Sequence, residues 1–203
     1  MRTMSAPRVF LLSPASLNGI RAKQLMSPRA RFDAAQLYRS PEGVPIAIAF
    51  AFMSALYFRG KIAYAMHFTE PGHVFVITPG FGLVPPDWRI TEERMKVMRR
   101  TPIDVSKRTY VKPLARDAFE IATTKPDSEV VLLGSVATGK YVDVLQPIFG
   151  DRLRFPAAFA GLGDMSRGGL MLRAVRASRE LEYTPLSSPR HRPPGATGKM
   201  PSL

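Results

Sequence analysis

EVVLLGSVATGKY, residues 129–141, is the stretch whose reading decides the fold. Val130 to Leu133 form an unbroken apolar run, which suits a strand buried on both faces. Gly134 to Gly139 supply turn residues, and residues 141–149 read as a helix shortened by Pro147. A strand that passes through a short turn into a helix is the repeating unit of an α/β sheet.

Working outward, the pattern recurs. Residues 8–13 are a short apolar strand closed by Ser13-Pro14, and residues 73–78 carry Val74, Phe75, Val76 and Ile77 as another. Residues 152–155 read as a fourth strand. Residues 20–26, 28–39, 46–68, 91–100, 113–123 and 170–181 read as helices. Ser27-Pro28 resembles an N-cap followed by proline at the first helical position. The helix at 46–68 is apolar all round in its first half, so it is expected to be enclosed, with Gly60 its point of bending. Residues 79–87 and 161–169 are too rich in glycine or proline for regular structure. Strands alternating with helices predict an α/β domain: three layers, a mostly parallel sheet and helices on both faces, in a Rossmann-like arrangement. Residues 1–186 form that domain. From Ser187 onward the chain is polar, proline-rich and free of acidic residues, and reads as a disordered basic tail.

The chain has 203 residues, a length that suits one domain. It carries 29 Lys+Arg against 16 Asp+Glu, a formal charge of +13, which points to an anionic partner. With no cysteine it has no disulfide scaffold, no thiolate zinc site and no cysteine nucleophile. His67, His73 and His191 do not pair at metal-ligand spacing, and no G-x-S-x-G elbow is present. The longest apolar run, 44–58, is interrupted by Pro45 and Ser54 and falls short of the ~18–20 residues of a membrane span. The run at 9–12 is shorter than the ~7–15 apolar residues of a signal peptide. A cytoplasmic location with no membrane partner is expected.

In parallel sheets ligands bind beyond the carboxyl ends of the strands, which directs attention to four loops. The first offers Ser13. The second offers Thr78, Gly80 and Gly82, with Asp87 a little later. The third, Gly134-x4-Gly139-Lys140, has the strand-to-helix context of a phosphate-binding P-loop. Tyr141, however, stands where a magnesium-binding Ser or Thr is required. It reads as a tight turn, or as a loop that holds phosphate without hydrolysing it, through Gly134, Ser135 and Lys140. The fourth loop combines Asp164, Ser166, Arg167 and Gly168. Arg167 suits a phosphate or carboxylate and Asp164 an acid or base, while Asp164 or Ser166 equally suits a helix cap. Residues 57–61, Tyr-Phe-Arg-Gly-Lys, read as core aromatics with cations reaching back to water, or as a grip for bases and phosphates. Basic residues dominate the stretch 89–116, and Arg173, Arg176 and Arg179 recur at threefold spacing.

The motifs Leu12-Ser13-Pro14-Ala15, residues 56–61, residues 77–87, residues 133–141 and Gly163-Asp164-Met165-Ser166-Arg167-Gly168-Gly169 resemble those of an uncharacterised family of bacterial α/β proteins. That resemblance implies a fold and no mechanism. The Gly80-Phe81-Gly82-Leu83 loop, with Pro85-Pro86-Asp87, resembles a strand-end loop Ser-Ala-(Lys/Arg)-(Tyr/Phe)-Gly-Leu of small bacterial domains, and the Ser13-Pro14-Ala15 strand end is similar to peroxide-stress proteins of the YaaA type; both imply nucleotide or nucleic-acid chemistry. The expected function is binding of a nucleotide or other phosphorylated ligand at the strand-end loops. Lys140 and Arg167 would neutralise phosphate, Ser13, Thr78 and Ser135 would donate hydrogen bonds, and Asp164 or Asp87 would serve as acid or base in any reaction. The alternative is a non-catalytic nucleic-acid-binding module using the basic surface and tail. No cofactor and no reaction are named by the sequence.

Overall fold

The apolar runs form the centre of a six-stranded sheet in a computed structural model that describes residues 7–186. In chain order the elements are β1 (Arg8–Leu12), α1 (Ile20–Leu25), α2 (Asp33–Arg39), β2 (Val44–Pro45), α3 (Ile46–Phe68), β3 (Val74–Thr78), β4 (Gly82–Val84) and β5 (Arg89–Ile90). They continue as α4 (Glu92–Arg100), α5 (Arg108–Thr124), β6 (Glu129–Leu133), α6 (Val142–Phe149), β7 (Leu153–Pro156), α7 (Asp164–Arg176) and β8 (Tyr183–Pro185). The sheet order is β4-β3-β1-β6-β7-β8. Strands β3, β1, β6 and β7 run parallel, and β4 and β8 close the edges antiparallel. The register sets Leu12 beside both Val76 and Leu133. Strands β2 and β5 form a separate small ribbon.

Alternate side chains of a strand point to opposite faces. Phe10 and Leu12 therefore join a core with α1, α2, α3, α4 and α7, while Val9 and Leu11 join a second core with α5 and α6. Burial on both sides is why β1 and β6 read as unbroken apolar runs.

Several boundaries depart from the sequence expectation. Helix α2 starts at Asp33 and not at Pro28, because Ser27 closes a turn: its carbonyl accepts from the Ala30 N–H at 3.1 Å and its hydroxyl from the Arg29 N–H at 3.3 Å. Helix α5 starts at Arg108 and holds Pro113 inside it. The Lys107 carbonyl accepts the N–H groups of Tyr110 and Val111, each at 3.0 Å, so the helix is under way before the proline removes one bond. Within the expected loop 79–87 lies β4. Thr78 Oγ1 donates to the Gly82 carbonyl at 2.9 Å and Leu83 N–H to Asp117 Oδ2 at 2.8 Å, which folds the segment back on β3. Helix α7 begins at Asp164, so Gly168 and Gly169 are helical, and it ends before Ser178, whose φ of +46° takes the chain out of the helix. Strand β8, Tyr-Thr-Pro, has no apolar run to announce it. It is held by Tyr64 and Tyr183, whose hydroxyls are 2.6 Å apart, and by Tyr183 donating to Glu180 at 2.8 Å. The expected tail from Ser187 lies outside the described residues.

Helix α3 is long and apolar enough, by length and composition, to cross a membrane. Here it packs chiefly against α7, and against α1, α2 and the sheet. Its break falls at Ala55 (φ +44°, ψ −120°) and not at Gly60. Gly60 serves the helix crossing instead. A Cβ there would stand 2.7 Å from the Gly168 carbonyl oxygen, and a Cβ on Gly168 would stand 2.7 Å from the Leu56 carbonyl oxygen and 2.9 Å from Tyr57 Cα. Those neighbours are backbone and cannot rotate away. Gly168→Ala is therefore expected to destabilise the protein by about 1–3 kcal/mol through overpacking. Gly169→Ala, one residue on, meets only the Arg173 side chain at 3.4 Å and should stabilise by about 0.5–1 kcal/mol through helix propensity. Urea denaturation of both variants checks the contrast, and equal effects would contradict the crossing.

Candidate functional site

The connection leaving β1 runs to helices of the first core, and the one leaving its neighbour β6 runs to α6 in the second. Adjacent parallel strands whose chains part to opposite faces leave a crevice at their carboxyl ends. Ser13 and Gly134 face one another there. A Cβ on Gly134 would lie 2.9 Å from Ser13 Cβ, so the glycine makes room for the serine. The Ser13 N–H continues the ladder to the Leu133 carbonyl at 3.2 Å.

Into this place α3 sends Lys61. Its Nζ donates to Ser13 Oγ at 2.6 Å and to the Ser13 carbonyl at 3.0 Å, and sits 3.8 Å from the centroid of the Tyr57 ring one helical turn earlier. Lys61 is 1% exposed. Among the described residues no carboxylate lies within ion-pair distance of it. The sequence reading of a cation reaching back to water is thus corrected: Lys61 points inward, while Arg59 is the exposed cation. Burial pushes the Lys61 ammonium down to about 7; Asp164 opposes the shift and Arg167 reinforces it. Tyr57 is buried, and its hydroxyl lies beside the Arg167 guanidinium. Burial raises its pKa, with the nearby Arg167 guanidinium acting against the rise. Tyr141, at the start of α6, is also buried and pushed up to about 12, first by burial, then by Tyr57 and Asp164.

Beside this enclosed group lies an open cleft of about 480 Å³. The residues after Ser13, from Ala15 to Asn18, form one wall, and Pro79, Arg99, Arg100, Thr101 and Lys140 form the others. A second cleft of about 440 Å³ shares Thr101 and adds Arg108, Lys112 and Arg116 from one face of α5. Among the described residues no carboxylate lines either cleft. Arg116 is paired with Asp117 at 2.7 Å, and Arg99 reaches Asn18 at 3.5 Å.

The residues singled out from sequence divide between these places. Ser13 and Gly134 meet in the crevice. Lys140 lines the first cleft and Gly80 the second. Arg167 is half-buried, its Nε and Nη2 donating to the Phe159 carbonyl at 3.3 and 3.2 Å, and it lies 3.9 Å from an exposed Asp164. Thr78 and Gly82 are used within the β3–β4 turn, where a Cβ on Gly82 would meet the Pro113 carbonyl oxygen at 2.6 Å. Gly168 is spent on the helix crossing. Ser166 is exposed in the first turn of α7, Ser135 is half-buried, and Asp87 is exposed between β4 and β5, lining neither cleft. Sequence reasoning missed the roles of Lys61, Arg99 and Arg100. A lone lysine within an apolar helix that has no acidic residue was the available signal for Lys61. Among the described residues no cluster of His, Asp or Glu is placed to hold a metal ion.

Comparison with protein-family models, with curated proteins and with solved structures finds no match.

The buried amine makes stability depend on pH. An ordinary lysine titrates at 10.5, and Lys61 in the fold at about 7. Between these values the unfolded chain holds a proton that the folded chain has released. The folded state therefore gains stability as pH rises through the window and loses it as pH falls, by up to ~1.4 kcal/mol per pH unit for the one proton. Lys61→Met should remove this rise between pH 7 and 9.5, below the range in which the raised tyrosines titrate. Urea denaturation of both proteins across that range is the check, and parallel profiles would contradict it.

Proposed function

We propose that this chain binds a phosphorylated ligand, a nucleotide or the phosphates of a nucleic acid, in the cleft at the carboxyl rim of its sheet. With helices on both faces, the sheet is read as a three-layer, Rossmann-like arrangement, whose ligands seat beyond the strand ends. The observation that carries the reading is the convergence of Arg99, Arg100 and Lys140, from two distant parts of the chain, on one cleft without a carboxylate. Guanidinium and ammonium groups that converge without acidic partners favour phosphate oxygens, and arginine does so bidentately. Lys140 is set in place by its own carbonyl, which accepts from the Tyr110 hydroxyl at 2.9 Å.

The second cleft favours an extended ligand, because it adjoins the first at Thr101 and prolongs the row of cations along α5. A single strand of nucleic acid fits such a row, with salt-dependent affinity. The cleft beside Arg173 and Arg179 is a poorer candidate, since Glu180 and Glu182 also line it.

Titration of nucleotides, inorganic phosphate and a single-stranded oligonucleotide separates the readings. Arg100→Ala and Lys140→Ala should each weaken the bound species roughly tenfold, the loss of one charge-assisted contact. Arg173→Ala should leave it unchanged. Binding that ignores both cleft substitutions, or absence of binding by every ligand at low salt, would refute the proposal.

A further inference from the structure

We propose that Ser13 and Lys61 form a nucleophile–base pair for acyl transfer, with Ser13 Oγ as the attacking atom. The geometry carries this: a serine hydroxyl held 2.6 Å from a primary amine that has no carboxylate partner among the described residues, at the end of a central strand and in the crevice between β1 and β6. The ring of Tyr57 lies against the same amine, and its buried hydroxyl lies beside the Arg167 guanidinium.

The pair divides its roles by chemistry. Both groups are buried; the hydroxyl is the nucleophile and the amine accepts its proton. A lysine titrating near neutrality is unprotonated often enough to accept a proton. The groups that face it set that balance: Tyr57 on its own helix, Ser13 just after β1, and Asp164 and Arg167 on α7, with Tyr141 beyond Tyr57. A neutral carbonyl suits this enclosed site better than a phosphoryl group. The nearest guanidinium, Arg167, already directs Nε and Nη2 at the Phe159 carbonyl and has little left for three charged oxygens.

The step balances without a further reagent. Ser13 Oγ adds to the carbonyl carbon of an ester as its proton passes to Lys61 Nζ. The C–O bond to the leaving group breaks, and the leaving group takes that proton from Lys61. Water then adds to the acyl-serine, giving its proton to Lys61, and collapse returns the proton to Ser13 and frees the acid.

The proposal stands apart from the phosphate cleft, and its probe carries no phosphate. Intact protein is treated with p-nitrophenyl acetate, nitrophenolate release is followed, and the acetylated residue is mapped by peptide mass spectrometry. Acetyl on Ser13, formed at a rate that rises through about pH 7, is expected. Ser13→Ala should abolish that adduct, and Lys61→Met should slow it roughly 100-fold. Asp164→Asn should move the midpoint to lower pH, because the carboxylate that favours the ammonium is gone. If Lys61→Met does not fold, the adduct map and pH profile of the unaltered protein decide alone. Folded protein without acetyl at Ser13, acetyl on Lys61 in its place, or a rate at Ser13 that is flat with pH would each overturn the pairing.

Discussion

A primary amine enclosed at the end of the central strand constrains everything around it. Lys61 can be buried only if acceptors meet its Nζ, and Ser13 supplies two of them. For the amine to arrive there, α3 must lie close over the strand ends. That requires α7 to let it in, which Gly60 and Gly168 accomplish by bringing two helix backbones together without side chains between them. Gly134 does the same for Ser13 on its other side. Three glycines on three elements thus share one purpose: they fix the distance between a lysine and a serine far apart in the chain. Tight packing of this kind tolerates little change in volume.

The two ends of the sheet handle charge in opposite ways. At the amino ends of the parallel strands, Glu129 pairs with Arg8 at 3.2 Å and with Arg154 at 2.8 Å, and Arg8 also reaches Glu180 at 2.8 Å. These half-buried pairs join β1, β6 and β7 to the segment that leads into β8, and the Tyr64–Tyr183 contact extends the clasp to α3. At the carboxyl ends Asp164 acts on the enclosed Lys61 and Tyr141, beside the open cleft. Arg99, Arg100 and Lys140 stand around a cleft with no carboxylate in its walls. A net charge spread evenly over a surface says little; three cations around one cleft are the arrangement on which the proposed phosphate binding rests.

The centre of the fold was legible because its cause is local. A run such as Val130 to Leu133 can be buried on two faces or not at all, so it declares a parallel strand. The edges were not legible, because their cause is tertiary. Strand β4 is three residues long and is held by Asp117 from α5, and β8 by tyrosine and glutamate contacts from α3 and the preceding loop. The same distinction applies to the site. The strand-end rule pointed to Ser13, Gly134 and Lys140, which the structure places at the crevice and the first cleft, since that rule needs only the order of elements. It had no means to find Lys61, which arrives from the middle of a helix. Nor could it show that Gly168 would be consumed by packing, because a glycine pair in sequence looks like a loop until the partner helix is known. The basic stretch 89–116 was visible as composition, but convergence of Arg99 and Arg100 with Lys140 is a property of the fold alone.

Stability does not account for Lys61. A methionine of similar length would fill the same space without the desolvation that drives the amine's titration down toward neutrality. The lysine also brings no ion pair among the described residues to offset its burial. What it brings is a hydrogen bond to a hydroxyl and one to a carbonyl. The carbonyl belongs to Ser13, which follows the end of β1 at the crevice. Taking a charged amine out of water costs free energy, so the ammonium form of Lys61 opposes folding and the neutral form relieves the penalty. Under the proposed acyl transfer the amine has a use that packing does not supply, because its neutral form stands within reach of the Ser13 hydroxyl.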